Sequence, residues 1–162
     1  LSADEGVLPK RSAGILMYRQ VEGRLQVLLA HPGGPFWARK DVGAWSIPKG
    51  EYGPDEDALS AAKREFLEEL GLVPEGECRP LGEVKQKGGK IVTAFALAGD
   101  IDAAAIVPGT FEMEWPPRSG RRQSFPEVDR AAWFEIEEAC RKILPAQAAF
   151  IERLIALVPA KP

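Results

Sequence analysis

GEYGPDEDALSAAKREFLEELGL, running from Gly50 to Leu72, is the stretch on which the fold of this 162-residue chain turns. Within it Glu65, Glu68 and Glu69 stand at i, i+3 and i+4. A helix turns by about 100° per residue, so this spacing puts three carboxylates on one face. Leu59, Ala62, Phe66 and Leu70 fall on a neighbouring face and are candidates for burial, whereas Ala58 and Ala61 share the acidic face without blocking it. Three acids so placed repel one another, at a cost of a few tenths of a kcal/mol per pair. A divalent cation reverses that sign, because hard ions such as Mg²⁺ take oxygen ligands and share their shell with substrate phosphates. Taken alone, the three acids favour the plainer reading of a solvated helix face.

The flanks define the element. Gly53-Pro54-Asp55 is turn chemistry, and Asp55 is the expected N-cap of a helix over residues 56–70. Gly71 supplies the C-terminal stop. Gly50 suits a point where the backbone turns or approaches a ligand closely.

Counting from Gly50, five residues lead to Glu56 and seven more to Arg64; then come Glu65, apolar Phe66, Glu68, Glu69, Gly71 and apolar Leu72. At every fixed position this resembles the signature of the Nudix hydrolase family, over about a seventh of the chain. The resemblance implies an α/β fold, an α/β/α sandwich around a mixed β-sheet, and hydrolysis of a diphosphate bond. It implies that Glu65, Glu68 and Glu69 ligate Mg²⁺ (or Mn²⁺) with the Gly50 carbonyl. It further implies that Arg64 and Glu56 brace the helix and orient the acids. Enzymes of this family often add an acid from outside the signature, and Glu127 is the first choice here, ahead of Glu112 and Glu114.

Outward from the signature, the chain alternates strands and loops. Residues 1–11 are polar and expected to be mobile, leaving 12–162 as one domain. Residues 12–19 and 25–31 are apolar and β-leaning around a turn. His31, the single histidine, ends the second of these strands, where a structural or solvent-facing role is expected. Residues 32–43, PGGPFWARKDVG, form a Gly- and Pro-rich loop carrying Phe36, Trp37, Arg39 and Lys40. Aromatic rings beside cations can stack a base and steer phosphates, or simply pin the loop to the core. A short strand over 44–48 leads to Lys49, a further candidate for substrate contact.

Strands are also expected over 81–86 and 91–98, with Lys87 in the basic turn between them, and over 110–115, where Phe111, Met113 and Trp115 alternate with Glu112 and Glu114. Arg118, Arg121 and Arg122 form a compact basic loop able to close on a polyphosphate or to pair with nearby acids. A strand after Glu127 and two helices over 137–143 and 145–158 complete a count of about seven strands.

Composition sets outer limits. The chain is 45% apolar and 28% charged, with net charge −3 at pH 7, which disfavours broad binding to nucleic acid or anionic membrane. No apolar run reaches the length of a membrane span. Cys78 and Cys140 lie far apart without metal-site spacing, as expected for free thiols in a reducing cytoplasm. The expected partner is therefore a small nucleotide polyphosphate, with dinucleoside polyphosphates and nucleoside triphosphates both in the class. Outside the signature there is a loose similarity to small diadenosine polyphosphate hydrolases. A Nudix-fold sensor that binds nucleotide without cleaving it is the alternative, and monomer and homodimer both remain open.

Overall fold

The structure, a computed structural model, describes residues 8–159. Eight strands and three helices follow in the order β1 (Arg11–Val21), β2 (Arg24–Pro32), β3 (Lys49–Tyr52), α1 (Ala58–Leu70), β4 (Arg79–Lys85), β5 (Ile91–Ala98), β6 (Thr110–Glu114), β7 (Arg122–Pro126), β8 (Val128–Glu135), α2 (Ile136–Lys142) and α3 (Ala148–Leu157). Of the expected mobile segment, residues 1–7 lie outside the described residues, and Arg11 already pairs with Tyr52 and Ile91.

β1 is the centre of a mixed sheet ordered β4-β5-β1-β2-β8. It runs parallel to β5 over its whole first eight residues. Along its other edge its start pairs with β3 and its end with β2, both antiparallel. Glu22 and Gly23, both at positive φ, close the β1–β2 hairpin in two residues.

Alternation along the strands divides the core between two faces. Ala13, Ile15 and Met17 of β1 pack with Leu28 of β2 against Ala62, Phe66 and Leu70 of α1. Leu16, Val27 and Leu29 point the other way, against Ala139 of α2 and Phe150, Ile151 and Leu154 of α3. The sheet is therefore sandwiched between α1 and the C-terminal helices, as the α/β/α expectation requires. Each fully buried Val, Leu, Ile, Phe or Met side chain among these contributes roughly 1.5–3 kcal/mol.

Several local expectations are corrected. The N-cap of α1 is Asp57, not Asp55: its carboxylate accepts the Ser60 N–H, and the helix opens at Ala58. Gly71 ends it in the left-handed conformation, donating to the Leu67 carbonyl. Ala61 is fully buried rather than flanking an open face, because it packs with the residues of β1 and β2 in the core beneath α1. Residues 44–48 make only isolated bridges from Trp45 and Ser46, and the strand forms at Lys49–Tyr52. Pro48, which has no N–H to give a ladder, interrupts any longer pairing.

The expected strand over 110–115 does not join the main sheet. It pairs with β7, part of which was expected to be loop, in a separate two-stranded ribbon. Phe111 packs toward Phe125 with ring centres 6.0 Å apart, and Trp115 meets Phe36 at 5.3 Å. The ribbon's half-buried alternation thus serves the 32–43 loop. His31 is fully buried: its Nδ1 faces the Asp129 carboxylate at 3.0 Å and its Nε2 faces the Lys40 carbonyl at 2.6 Å. Pro145 starts a 3-10 turn, Pro145–Gln147, ahead of α3. Cys78 and Cys140 are both unbridged. No helix among the described residues is long and apolar enough to cross a membrane.

Candidate active site

β3 and α1 bring the acidic residues to one place. Gly50 sits opposite Ala13 in the β1–β3 pairing, with the Glu65 carboxylate pressed onto it. A Cβ at position 50 would stand 1.9 Å from Glu65 Oε2 and 2.1 Å from its Cδ. Only glycine permits that approach. The peptide N–H of Lys49 donates to Glu69 Oε2 at 3.0 Å, fixing a second carboxylate against the same strand.

Arg64 ties the helix face together. Its Nε and Nη2 donate to the two oxygens of Glu56 at 2.9 and 2.7 Å, a bidentate pair. Its Nη1 reaches Glu65 Oε1 at 2.7 Å and the Glu68 carboxylate at 3.2 and 3.3 Å. The Glu56 bond is the main reason the guanidinium is held even more firmly protonated than usual.

Glu127 arrives from the other side. Its N–H donates to the Gly109 carbonyl at 2.8 Å and its carbonyl accepts the Gly33 N–H at 2.9 Å. Gly109 in turn donates to the Glu68 carbonyl at 3.1 Å. The base of the ribbon is thereby tied both to α1 and to the loop after β2. Glu65, Glu68, Glu69, Glu127 and Gly50 together line a cleft of about 450 Å³, bordered also by Phe111.

The electrostatics of this cleft are unfavourable to the carboxylates as they stand. Burial pushes the Glu69 carboxyl up to about 8, with the charges of Glu127 and Glu65 adding to the rise. Glu65 is raised by burial and then by Glu68, although Arg64 opposes the shift. Glu127 is raised by burial and by Glu68. The Lys49 ammonium, half-buried beside Glu69, is lowered by desolvation although Glu69 opposes the change. Desolvation therefore outweighs the attraction at both members of this pair.

Mutual repulsion among oxygen donors around one cleft is the chemistry a hard divalent cation relieves. Among the described residues, however, no three Asp, Glu, His or Cys side chains are already gathered tightly enough to hold a metal ion. Arg64 keeps Glu65 and Glu68 engaged on itself. The donor set suits the ion.

A second cleft, of about 280 Å³, adjoins the first through Glu69 and Glu127 and is lined also by Trp37, Ile47, Lys49 and Gln86. Trp37 and Lys49 are thus placed where a substrate can meet them. Arg39, Lys87, Arg118, Arg121 and Arg122 are exposed and line neither cleft. Lys87 sits in the β4–β5 turn, Arg118 and Arg121 in the β6–β7 connection, and Arg122 lies 3.9 Å from Glu112. Glu112 and Glu114 remain on the exposed side of the ribbon, away from both clefts. Sequence reasoning missed Gln86 and Phe111 as cleft residues. Gln86 directly follows β4 with no local pattern to mark it, and Phe111 reads simply as the apolar side of an alternating strand.

A sequence model of the NUDIX domain matches residues 8–155 of the chain. A search of curated protein sequences finds no match. Among solved structures, the chain resembles a C. elegans Ap4A hydrolase in a binary complex, with 23% identity, TM-score 0.61, and coverage of 91% of this chain and 96% of that one. It also resembles the NUDIX domain of Shewanella oneidensis NrtR complexed with ADP ribose, with 14% identity, TM-score 0.65, and coverage of 97% and 93%. The E. coli ORF135 protein is a third, at 23% identity and TM-score 0.55, covering 95% of each chain. Likeness at these identities establishes the fold.

Proposed function

The chain belongs to the NUDIX family of pyrophosphohydrolases, and from that premise we propose that it cleaves the diphosphate bond of a nucleoside diphosphate linked to another moiety, with Mg²⁺ or Mn²⁺. The observation that carries this reading is the gathering of four carboxylates from α1 and the β7–β8 junction on one cleft beside Gly50. Hydrolases of the family generally use divalent metal ions. Glu65, Glu68 and Glu69 would hold the ion, with the Gly50 carbonyl as a further ligand. When bound, it polarises phosphate oxygens and makes an attacking water more acidic.

The chain's own residues supply the rest. Arg64 limits how far Glu65 and Glu68 can splay under their mutual repulsion. Lys49 presents an ammonium beside the anionic substrate. Glu127, outside the helix and backed by two backbone hydrogen bonds, would take the proton of the attacking water; its position on the acidic cleft supports this role. Its raised proton affinity makes it a better base near neutral pH than an ordinary surface glutamate. Glu127→Gln is expected to lower kcat by about 10²–10³-fold with no loss of melting temperature. Wild-type turnover in that variant would remove Glu127 from the mechanism.

The test of the reaction is chromatographic product analysis with Mg²⁺ and a panel of diadenosine polyphosphates, nucleoside triphosphates, ADP-ribose and nucleotide sugars. Cleavage of one compound, with products differing at a phosphoric anhydride, supports the enzyme. Tight nucleotide binding with no turnover in Mg²⁺ or Mn²⁺ would instead favour a sensor.

A further inference from the structure

We infer that His31 is a positioning residue for substrate: with a proton on both ring nitrogens it pins the 32–43 loop to β8, and loss of one proton releases that loop, carrying Trp37 away from the second cleft. The effect on substrate rests on the reading of a nucleotide-binding cleft, whereas the pin itself does not. The ring is fully buried and edge-on to Trp45, with ring centres 5.1 Å apart. Its Nδ1 lies 3.0 and 3.1 Å from the two oxygens of Asp129. Its Nε2 lies 2.6 Å from the Lys40 carbonyl oxygen.

Both partners are acceptors. A carbonyl oxygen only accepts, so Nε2 carries a hydrogen in this arrangement, and a carboxylate only accepts, so Nδ1 carries one too. The Arg130 guanidinium, 3.2 Å from Asp129 Oδ1, matches a carboxylate that is charged. A neutral imidazole has a single N–H and can hold only one of the two. The bond to a carboxylate is charge-assisted and roughly twice as strong as one to a neutral carbonyl. The neutral ring therefore keeps its Nδ1 hydrogen. Its Nε2 lone pair then faces the Lys40 oxygen across 2.6 Å, and the loop moves off.

The charged groups packed about the ring come from three elements. β8 supplies Asp129 and Arg130, whose guanidinium lies 5.1 Å from the Trp45 ring centre. The loop supplies Asp41, which accepts the Trp45 Nε1 hydrogen at 2.8 Å and pairs with Lys142 of α2. Glu127, two residues before Asp129, lines the clefts. Among the described residues none of these bonds the Lys40 carbonyl, so no other cation replaces the ring there.

The loop depends on that contact. Between Gly33, which donates to Glu127, and Gly43, which donates to Arg141, the Lys40 carbonyl is the one backbone group of the loop bonded to the sheet among the described residues. The Lys40 N–H donates to the Trp37 carbonyl at 2.9 Å, and the Lys40 ammonium lies 5.0 Å from the Trp37 ring centre. Trp37 and Lys40 thus form one turn. Trp37 lines the second cleft together with Val128, the neighbour of Asp129, so His31 joins two walls of that cleft from behind.

Because His31 is the single histidine, its nitrogen signals can be followed without assignment in the intact protein. Long-range proton–nitrogen correlation from about pH 5.5 to about 9 is expected to show both nitrogens protonated at the low end and Nδ1 alone at the high end. Hydrogen exchange of residues 34–40, corrected for its intrinsic rate, is expected to quicken about tenfold over the same step. Asp129→Asn is the decisive variant. Its amide can donate to an unprotonated Nδ1, so the neutral ring holds both partners and the loop stays protected at every pH. His31→Phe fills the same space without either bond and is expected to exchange quickly throughout. For a substrate cleaved in the panel, KM is expected to rise about fivefold across the step in the parent relative to Asp129→Asn, with kcat changing alike in both. A singly protonated ring at the low end, an exchange step that persists in Asp129→Asn, or KM moving alike in both proteins would overturn the inference. The exchange step in a protein that hydrolyses nothing in the panel would uphold the pin and reject the enzyme reading instead.

Discussion

Glu69→Gln is expected to lower kcat/KM by about 10³-fold while raising the melting temperature of the metal-free protein by about 5 °C at pH 8. The loss of turnover follows from removing a carboxylate that would hold the ion. The gain in stability follows from the cost of keeping that carboxylate charged. In the folded protein burial lifts its pKa from 4.5 to about 8, so the native state binds the proton more tightly than the unfolded chain does. A group raised in this way contributes its full stabilisation below its unfolded pKa and loses it as pH climbs through the folded value.

The window is therefore about pH 5 to 8, and the penalty at its upper end is a few kcal/mol. An amide at position 69 pays no such penalty and still accepts the Lys49 N–H. The raised values of Glu65 and Glu127 have the same sign, so some pH dependence persists in the variant. Differential scanning fluorimetry in EDTA across this range is the measurement. Adding Mg²⁺ should restore stability to the parent by mass action and do little for the variant. A parent whose melting point stays level from pH 5 to 8 would contradict the assignment of Glu69 as a desolvated carboxylate.

Gly50→Ala is expected to cost about 10²-fold in kcat with little loss of stability. Alanine suits the backbone of β3, so the pairing with β1 survives. Its methyl would fall 1.9 Å from Glu65 Oε2, and the carboxylate must swing out of the cleft, giving up its 2.7 Å bond from Arg64. A displacement of about 1 Å at a catalytic group is enough for a loss of this size. Gly53→Ala provides the control, because a Cβ there meets nothing within 4 Å. The two variants should melt alike and differ in turnover. Equal turnover in both would mean that the contact between β3 and Glu65 has no bearing on the chemistry.

Both predictions rest on a site whose halves were unequally legible. The spacing of Glu65, Glu68 and Glu69, the glycine stop at Gly71 and the apolar row through Phe66 and Leu70 are all properties of a single helix, whose period is known in advance. The alternation in β1 and β2 similarly marked residues for the two faces of the sheet. Where the reading erred locally, as at Asp55, two candidates of equal chemistry stood close together and only the folded backbone chose between them. Asp57, not Asp55, reaches the Ser60 N–H.

What the sequence alone determined about this protein is its family, its layered α/β architecture and the acidic helix, because each depends on short-range periodicity or on fixed spacing within one element. Tertiary structure decided the rest. It drew Glu127 to the cleft through backbone bonds to Gly109 and Gly33. It left Arg118, Arg121 and Arg122 on a separate ribbon. It set His31 between Asp129 and the Lys40 carbonyl. These outcomes depend on which distant backbone groups meet, and hydrogen-bond direction between distant segments has no period from which it can be read.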